Sequence, residues 1–137
     1  MVLVCGPPGA GKTTLARSLG LEVYDLDDPK WGDSERLFRN HLRRLATDPS
    51  AHAVVIRAGA TLTARAAAQA LILATETTVV ETPVDECIRR VVKRNRPRPP
   101  MNMQIAAVRR WWDRYEPGTP DTGRIPTPSL GETSRDW

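Results

Sequence analysis

Short apolar runs alternate along this chain with longer segments in which apolar residues recur every third or fourth position. Residues 1–5 (MVLVC) form an unbroken apolar run that stops at Gly6, the pattern of a strand covered on both faces of a parallel sheet. Residues 11–19 (GKTTLARSL) read as a helix ended by Gly20, and 21–25 (LEVYD) as a second strand. From Asp33 as N-cap, SERLFRNHLRRLA places Leu37, Phe38, His41, Leu42 and Leu45 at helical spacing, with Arg36, Arg39, Arg43 and Arg44 mostly elsewhere around the turn. AHAVVIRA, 51–58, is a third strand, Thr61 or Thr63 can cap an alanine-rich helix to about Ala74, and TTVVE, 77–81, is a fourth strand. Pro83, Asp85 and Glu86 open a helix whose Ile88, Val91 and Val92 face inward until Pro97, Pro99 and Pro100 end it. A last helix covers about 102–115. Strands alternating with helices predict an α/β domain with a parallel sheet.

Between the first strand and the first helix lies GPPGAGKT, Gly6 to Thr13, which satisfies G-x-x-x-x-G-K-[ST] in the strand-to-helix setting that gives this motif its meaning. Gly6, Gly9 and Gly11 allow backbone angles and close approaches that a side chain would block. Successive N–H groups, including those of Ala10, Gly11, Lys12, Thr13 and Thr14, can then point at phosphate oxygens. Lys12 would reach the β- and γ-phosphates of a nucleotide such as ATP, and the Thr13 hydroxyl would meet Mg²⁺ bridging those oxygens. The expected fold class is therefore α/β, a single-domain P-loop NTPase of the kinase type, with a short parallel sheet flanked by helices.

Asp25, Asp27 and Asp28 stand at the end of the second strand, so a parallel sheet brings them to the same edge as the phosphate loop. There a carboxylate can take the proton of an attacking hydroxyl or hold magnesium through water, with Asp27 as the central member. Helix capping and a solvated turn are the alternative. The third strand ends in VVIRAG, with Arg57 where many P-loop NTPases carry an acid, which argues against a motor or switch ATPase and for a kinase. Arg57 could contact the acceptor's phosphate or form a salt bridge to the Asp27 region.

Charge is unevenly spread. The net value is +4, yet residues 85–115 carry nine lysines and arginines against three acids, and residues 22–35 carry six acids against Lys30 alone. On ECIRRVVKR, Arg90 and Arg94 are four residues apart on one face, and Arg96 and Arg98 continue into the proline-rich break. Such an arm, about 89–101, can close over a triphosphate as a lid. Some of the set Trp111, Trp112, Tyr115, Ile105 and Val108 is expected in the core, although one tryptophan could stack on a base.

With 137 residues, 40% hydrophobic and 26% charged, the chain fits one modest globular domain with no separate substrate domain. No run is long enough for a membrane span, and Met1 leads directly into a strand, so no membrane partner and a cytoplasmic location are expected. Cys5 and Cys87 lack the spacing of a zinc site and are expected as buried thiols. His41 and His52 have no partners in sequence. The boundaries expected are 1–116 for the kinase domain and 117–137 for an extended tail, where four prolines and three glycines follow Glu116 without a period.

GPPGAGKTTLAR followed by YDLDD, a third strand and ECIRRVVKR resembles the small P-loop kinases that group with polynucleotide kinase, especially short kinases encoded by actinobacterial phages, over about residues 1–115. The resemblance implies Asp27 as base for a 5′-hydroxyl and Arg90 and Arg94 as lid arginines. It also implies ATP as donor and an acceptor hydroxyl on DNA or a nucleotide, a hydroxymethylated base in DNA being one form. A nucleoside or small-metabolite kinase remains an alternative. So does a binding module that uses nucleotide occupancy to order its arginine arm without transferring phosphate.

Overall fold

The computed structural model describes residues 1–119. Four parallel strands, β1 (Val2–Cys5), β2 (Glu22–Asp25), β3 (Ala53–Arg57) and β4 (Glu76–Val79), form one sheet in the order β2-β3-β1-β4. β3 is buried along its whole length, as its position between two neighbours and under helices on both faces requires. The period of two sorts its side chains. Ala53 and Val55 join Leu3 and Cys5 of β1 on one face, while Val54 and Ile56 join Val4 on the other.

Helices α2 (Glu35–Ala46) and α3 (Leu62–Ile72) cover the first face through Phe38, Leu42, Ala68 and Ile72. Helix α1 (Lys12–Ser18) covers the second through Ala16. Helices α4 (Val84–Arg94) and α5 (Met101–Arg114) pack on each other, and their Cys87, Val91 and Val108 close a third cluster around Ala10 of the glycine loop. The three clusters meet near β1, which therefore carries its C-terminal loop out between all of them.

Local signals set the helix ends. Ser34, not Asp33, caps α2 by accepting from the Leu37 amide at 3.3 Å, and Asp33 instead takes a left-handed φ of 59° in the turn before it. A short 3-10 turn, Pro29–Trp31, precedes it, capped by the Asp28 carboxylate on the Lys30 amide at 3.1 Å. Of the two threonines, Thr61 caps α3 by accepting from the Ala64 amide at 3.1 Å. Helix α4 stops at Asn95, whose φ of 47° turns the chain before Pro97 is reached.

Two inward positions differ from expectation. Leu37 is 52% exposed, one residue short of the buried stripe set by Phe38 and Leu42. Val92 is 48% exposed, and Cys87 takes the core position one turn before Val91. No helix among the described residues is long and apolar enough to cross a membrane. The proposed extended tail lies outside the described residues from 120 onward. Its first residues are tied down, because the fully buried Arg65 of α3 donates to the carbonyls of Glu116 and Gly118 as well as to Gly59 and Ala60. The Glu116 carboxylate in turn accepts from the Leu62 amide at 3.0 Å.

Candidate functional site

A parallel sheet sends all its C-terminal loops to one edge. That edge gathers the loop Gly6–Thr13 after β1, the Asp25–Asp28 turn after β2, Arg57 at the end of β3, and Thr82 after β4.

The glycine loop is held from several sides. The Gly6 amide donates to the Ala58 carbonyl at 3.1 Å, the Ala10 amide closes a turn on Pro7 at 3.2 Å, and the Thr82 hydroxyl donates to the Ala10 carbonyl at 2.8 Å. Gly9 and Gly11 have φ of 78° and 95°, which only glycine adopts at little cost. A Cβ on Gly9 would also sit 2.6 Å from the Cys87 carbonyl oxygen, so glycine lets the α4 backbone press against the loop. The amides of Lys12, Thr13 and Thr14 begin α1 and have no preceding turn to bond, and no backbone carbonyl among the described residues accepts from them. They are donors suited to an anion.

The half-buried Lys12 folds back over this loop, its Nζ donating to the Gly6 carbonyl at 2.7 Å. Burial pushes its pKa below the ordinary value, while the Asp25 and Asp27 carboxylates pull it up and Arg57 pushes it down. Those four charges therefore surround one small region. A cation held at a loop of free amides and flanked by carboxylates suits a ligand that brings phosphate on one side and a proton to lose on the other.

The three aspartates divide. Asp28 caps the 3-10 turn and lies 3.9 Å from Lys30 Nζ, a local role. Asp25 is half-buried, accepts from the Asp27 amide at 3.1 Å, and has its pKa raised by burial. Asp27 is exposed. Arg57 is only 6% exposed, and its guanidinium pairs at 2.5 Å with Glu35 at the start of α2, not with the Asp27 region. It also lies over the Phe38 ring, 5.5 Å from its centroid.

The basic arm meets the loop through Arg90, whose Nη1 donates to the Ala10 carbonyl at 3.1 Å and whose Nη2 pairs with Glu86 at 3.0 Å. Arg94, one turn further, is within electrostatic reach of Asp27. Trp111 is core, 5% exposed, and stacks on Tyr115 with ring centroids 4.7 Å apart.

Glu35, Thr82 and Gln104 were not singled out from the sequence. Thr82 could have been, since a residue just past β4 must reach the loop edge. Glu35 and Gln104 could not, because their partners are fixed only by how helices land on the sheet. Among the described residues no three His, Cys, Asp or Glu side chains converge as metal ligands. The chain matches none of the protein-family models, and a search of the curated proteins finds no match.

Proposed function

We propose that the chain is a P-loop phosphotransferase that moves the γ-phosphoryl group of ATP to a hydroxyl on DNA or a nucleotide. The observation that carries this reading is Lys12 Nζ, 2.7 Å from the Gly6 carbonyl, in a loop whose following amides have no internal acceptor and whose neighbours are Asp25 and Asp27. The donor set fits a nucleotide triphosphate: free amides, one ammonium and a hydroxyl at Thr13. Thr13 would hold magnesium together with the phosphates, and the ion there supplies charge neutralisation.

In transfer, the acceptor oxygen attacks the γ-phosphorus, the bond to the bridging oxygen breaks, and ADP leaves with that electron pair. Asp27, exposed at the edge where an acceptor must enter, takes the hydroxyl proton. Lys12 exchanges the Gly6 carbonyl for phosphate oxygens. Arg90 and Arg94 add positive charge from α4, and Arg57 with Glu35 ties β3 to α2.

The test is transfer of label from [γ-³²P]ATP to hydroxyl-ended oligonucleotides, hydroxymethyluracil-containing DNA and free nucleosides, with Lys12→Ala as control. Labelled product that falls by roughly 10²-fold or more in the control is the expected result. Binding of ATP with no transfer to any acceptor would favour a nucleotide-gated binding module instead.

A further inference from the structure

Arg65 is the largest fully buried side chain among the described residues, and its guanidinium is divided between two segments. Nη1 donates to the carbonyls of Gly59 at 2.7 Å and Ala60 at 3.1 Å, in the turn between β3 and α3. Nη2 donates to the carbonyls of Glu116 and, at 2.9 Å, Gly118, in the chain that follows α5. None of the four acceptors is a carboxylate, so these bonds do not neutralise an acid; they join two stretches of backbone. The Tyr115 ring lies 5.6 Å from the guanidinium carbon, and the Glu116 amide adds a direct bond to the Ala60 carbonyl at 2.9 Å. Residues 115–118 are thus a strap fastened to the turn 58–60.

The turn in its own right reaches the glycine loop. Gly59 has a φ of 57°, and a Cβ there would lie 2.8 Å from Cys5 Cβ and 3.0 Å from Arg65 Cγ, so the turn is packed between the end of β1 and Arg65. Its first residue, Ala58, accepts from the Gly6 amide at 3.1 Å. Gly6 is therefore held on both sides of its backbone, the amide by Ala58 and the carbonyl by Lys12 Nζ at 2.7 Å. Once Lys12 exchanges that carbonyl for phosphate oxygens, the Ala58 bond is left to hold Gly6. A loop fixed in advance loses less freedom when its ligand arrives.

We propose that Arg65 is a positioning residue for the glycine loop, setting Gly6 through the turn 58–60 and tying its placement to the strap 115–118. This deepens the phosphotransferase reading and rests on it for the ligand. Lysine at position 65 would keep the charge but bring a single nitrogen in place of the fork, which cannot serve both segments.

The experiment compares the wild type, Arg65→Lys and Ser34→Ala by amide hydrogen exchange and by calorimetric titration with ADP and a non-hydrolysable ATP analogue. Magnesium is present, and the temperature is one at which circular dichroism shows all three folded. Ser34→Ala removes the α2 cap and so lowers stability without touching the turn. In Arg65→Lys the Gly6 amide should exchange about tenfold faster relative to the β1 amides, and both nucleotides should bind about tenfold more weakly. Ser34→Ala should leave that exchange ratio and both affinities at wild-type values. Should Arg65→Lys not fold, the wild type supplies the test by reciprocity: saturating ADP should slow exchange of the Glu116 amide, which bonds Ala60, more than it slows the α2 amides. Gly6 exchange that tracks β1 in Arg65→Lys, unchanged affinity in that variant, an equal loss in Ser34→Ala, or a Glu116 amide that ADP leaves unaffected would overturn the proposal while leaving the phosphotransferase reading intact. A wild type that binds neither nucleotide would overturn both.

Discussion

Trp111 and Gly6 share one acceptor: the Trp111 indole N–H donates to the Ala58 carbonyl at 2.7 Å, and the Gly6 amide donates to the same oxygen at 3.1 Å. Helix α5 is thereby joined to the first residue of the glycine loop through the turn after β3. Trp111→Phe keeps the stacking ring and removes the donor, and should lower stability by about 1 to 2 kcal/mol in urea denaturation. Unchanged stability would mean that the shared carbonyl contributes nothing beyond packing.

The glycines make a graded series. Gly9→Ala combines a φ of 78° with a Cβ 2.6 Å from the Cys87 carbonyl oxygen, a backbone atom that cannot swing aside. A loss of about 3 kcal/mol or more is expected. Gly20→Ala has a similar φ of 70° but nothing within 4 Å, so strain alone, about 1 kcal/mol, should remain. Gly11→Ala falls between, since it meets only the end of the Arg90 side chain at 3.2 Å. Thermal or urea unfolding of the three variants in any other order would contradict the packing of α4 on the loop.

How much of this was legible beforehand follows from which interactions are local. The four strands and the glycine loop depend on neighbours in sequence and stand within about two residues of where the pattern put them, and of the two threonines the pattern offered for the start of α3 the cap falls on Thr61. The start of α2 was misread by one residue, because Asp33 and Ser34 are both good caps and the 3-10 turn ahead of them decides between the two. Cys87 is buried as expected, but Val92 is exposed for a different reason: the face that α4 turns inward is the one that carries the Gly9 contact. Arg65 and Gln104 carried no sequence signal at all. Each is one polar residue in an ordinary helix, and each becomes buried only because chain 51 to 53 residues away, or a proline-rich loop, offers it carbonyls.

The aspartates give a prediction that separates chemistry from structure. Asp28→Ala removes a cap and should cost about 1 kcal/mol of stability with little change in turnover. Asp27→Asn should leave stability and ATP affinity nearly unchanged and lower turnover, because a base acts on the acceptor and not on the donor. Steady-state kinetics on Asp25→Asn, Asp27→Asn and Asp28→Asn decides it. If Asp25→Asn is the variant that loses turnover, the half-buried carboxylate is the base.

Cys5 makes stability depend on alkaline pH. Burial pushes its thiol from 9.0 up to about 11, although Lys12, Arg65 and Arg57 draw it down. The folded-state value is the raised one, so the contribution is full below the unfolded value of 9.0 and is lost as pH rises through about 11. In that interval the unfolded chain has lost a proton that the folded chain keeps, and stability falls by about 3 kcal/mol from this group. Lys12, with its lowered pKa, works in the opposite direction as pH rises, so the comparison must be between chains that both contain it. Urea denaturation of the wild type and Cys5→Ala should show the variant less stable at neutral pH but with a flatter decline above pH 9. Parallel declines would show that the thiol does not titrate as its burial requires.

An acceptor carrying a phosphate backbone has a signature that a small metabolite lacks. The excess of basic residues in 85–115 and the arginines of α2 give positive charge on two separate segments of the chain. A strand that contacts several of them releases counterions from its phosphates, so acceptor affinity should fall steeply with salt, with a log-log slope of about −0.7 per phosphate contacted on a single strand. Affinity should also rise with oligonucleotide length until the last contacted phosphate is included, and then level off. Arginines used only on ATP would give neither trend, because the donor is the same whatever the acceptor's length. The measurement is acceptor affinity for a mononucleoside and for oligonucleotides of increasing length, each at low and high salt, with ATP analogue saturating. Charge reversal at an exposed α2 position such as Arg36→Glu should lower both the affinity and the slope if that helix lies along the strand. Affinity independent of both length and salt would instead assign the acceptor to the small-metabolite class.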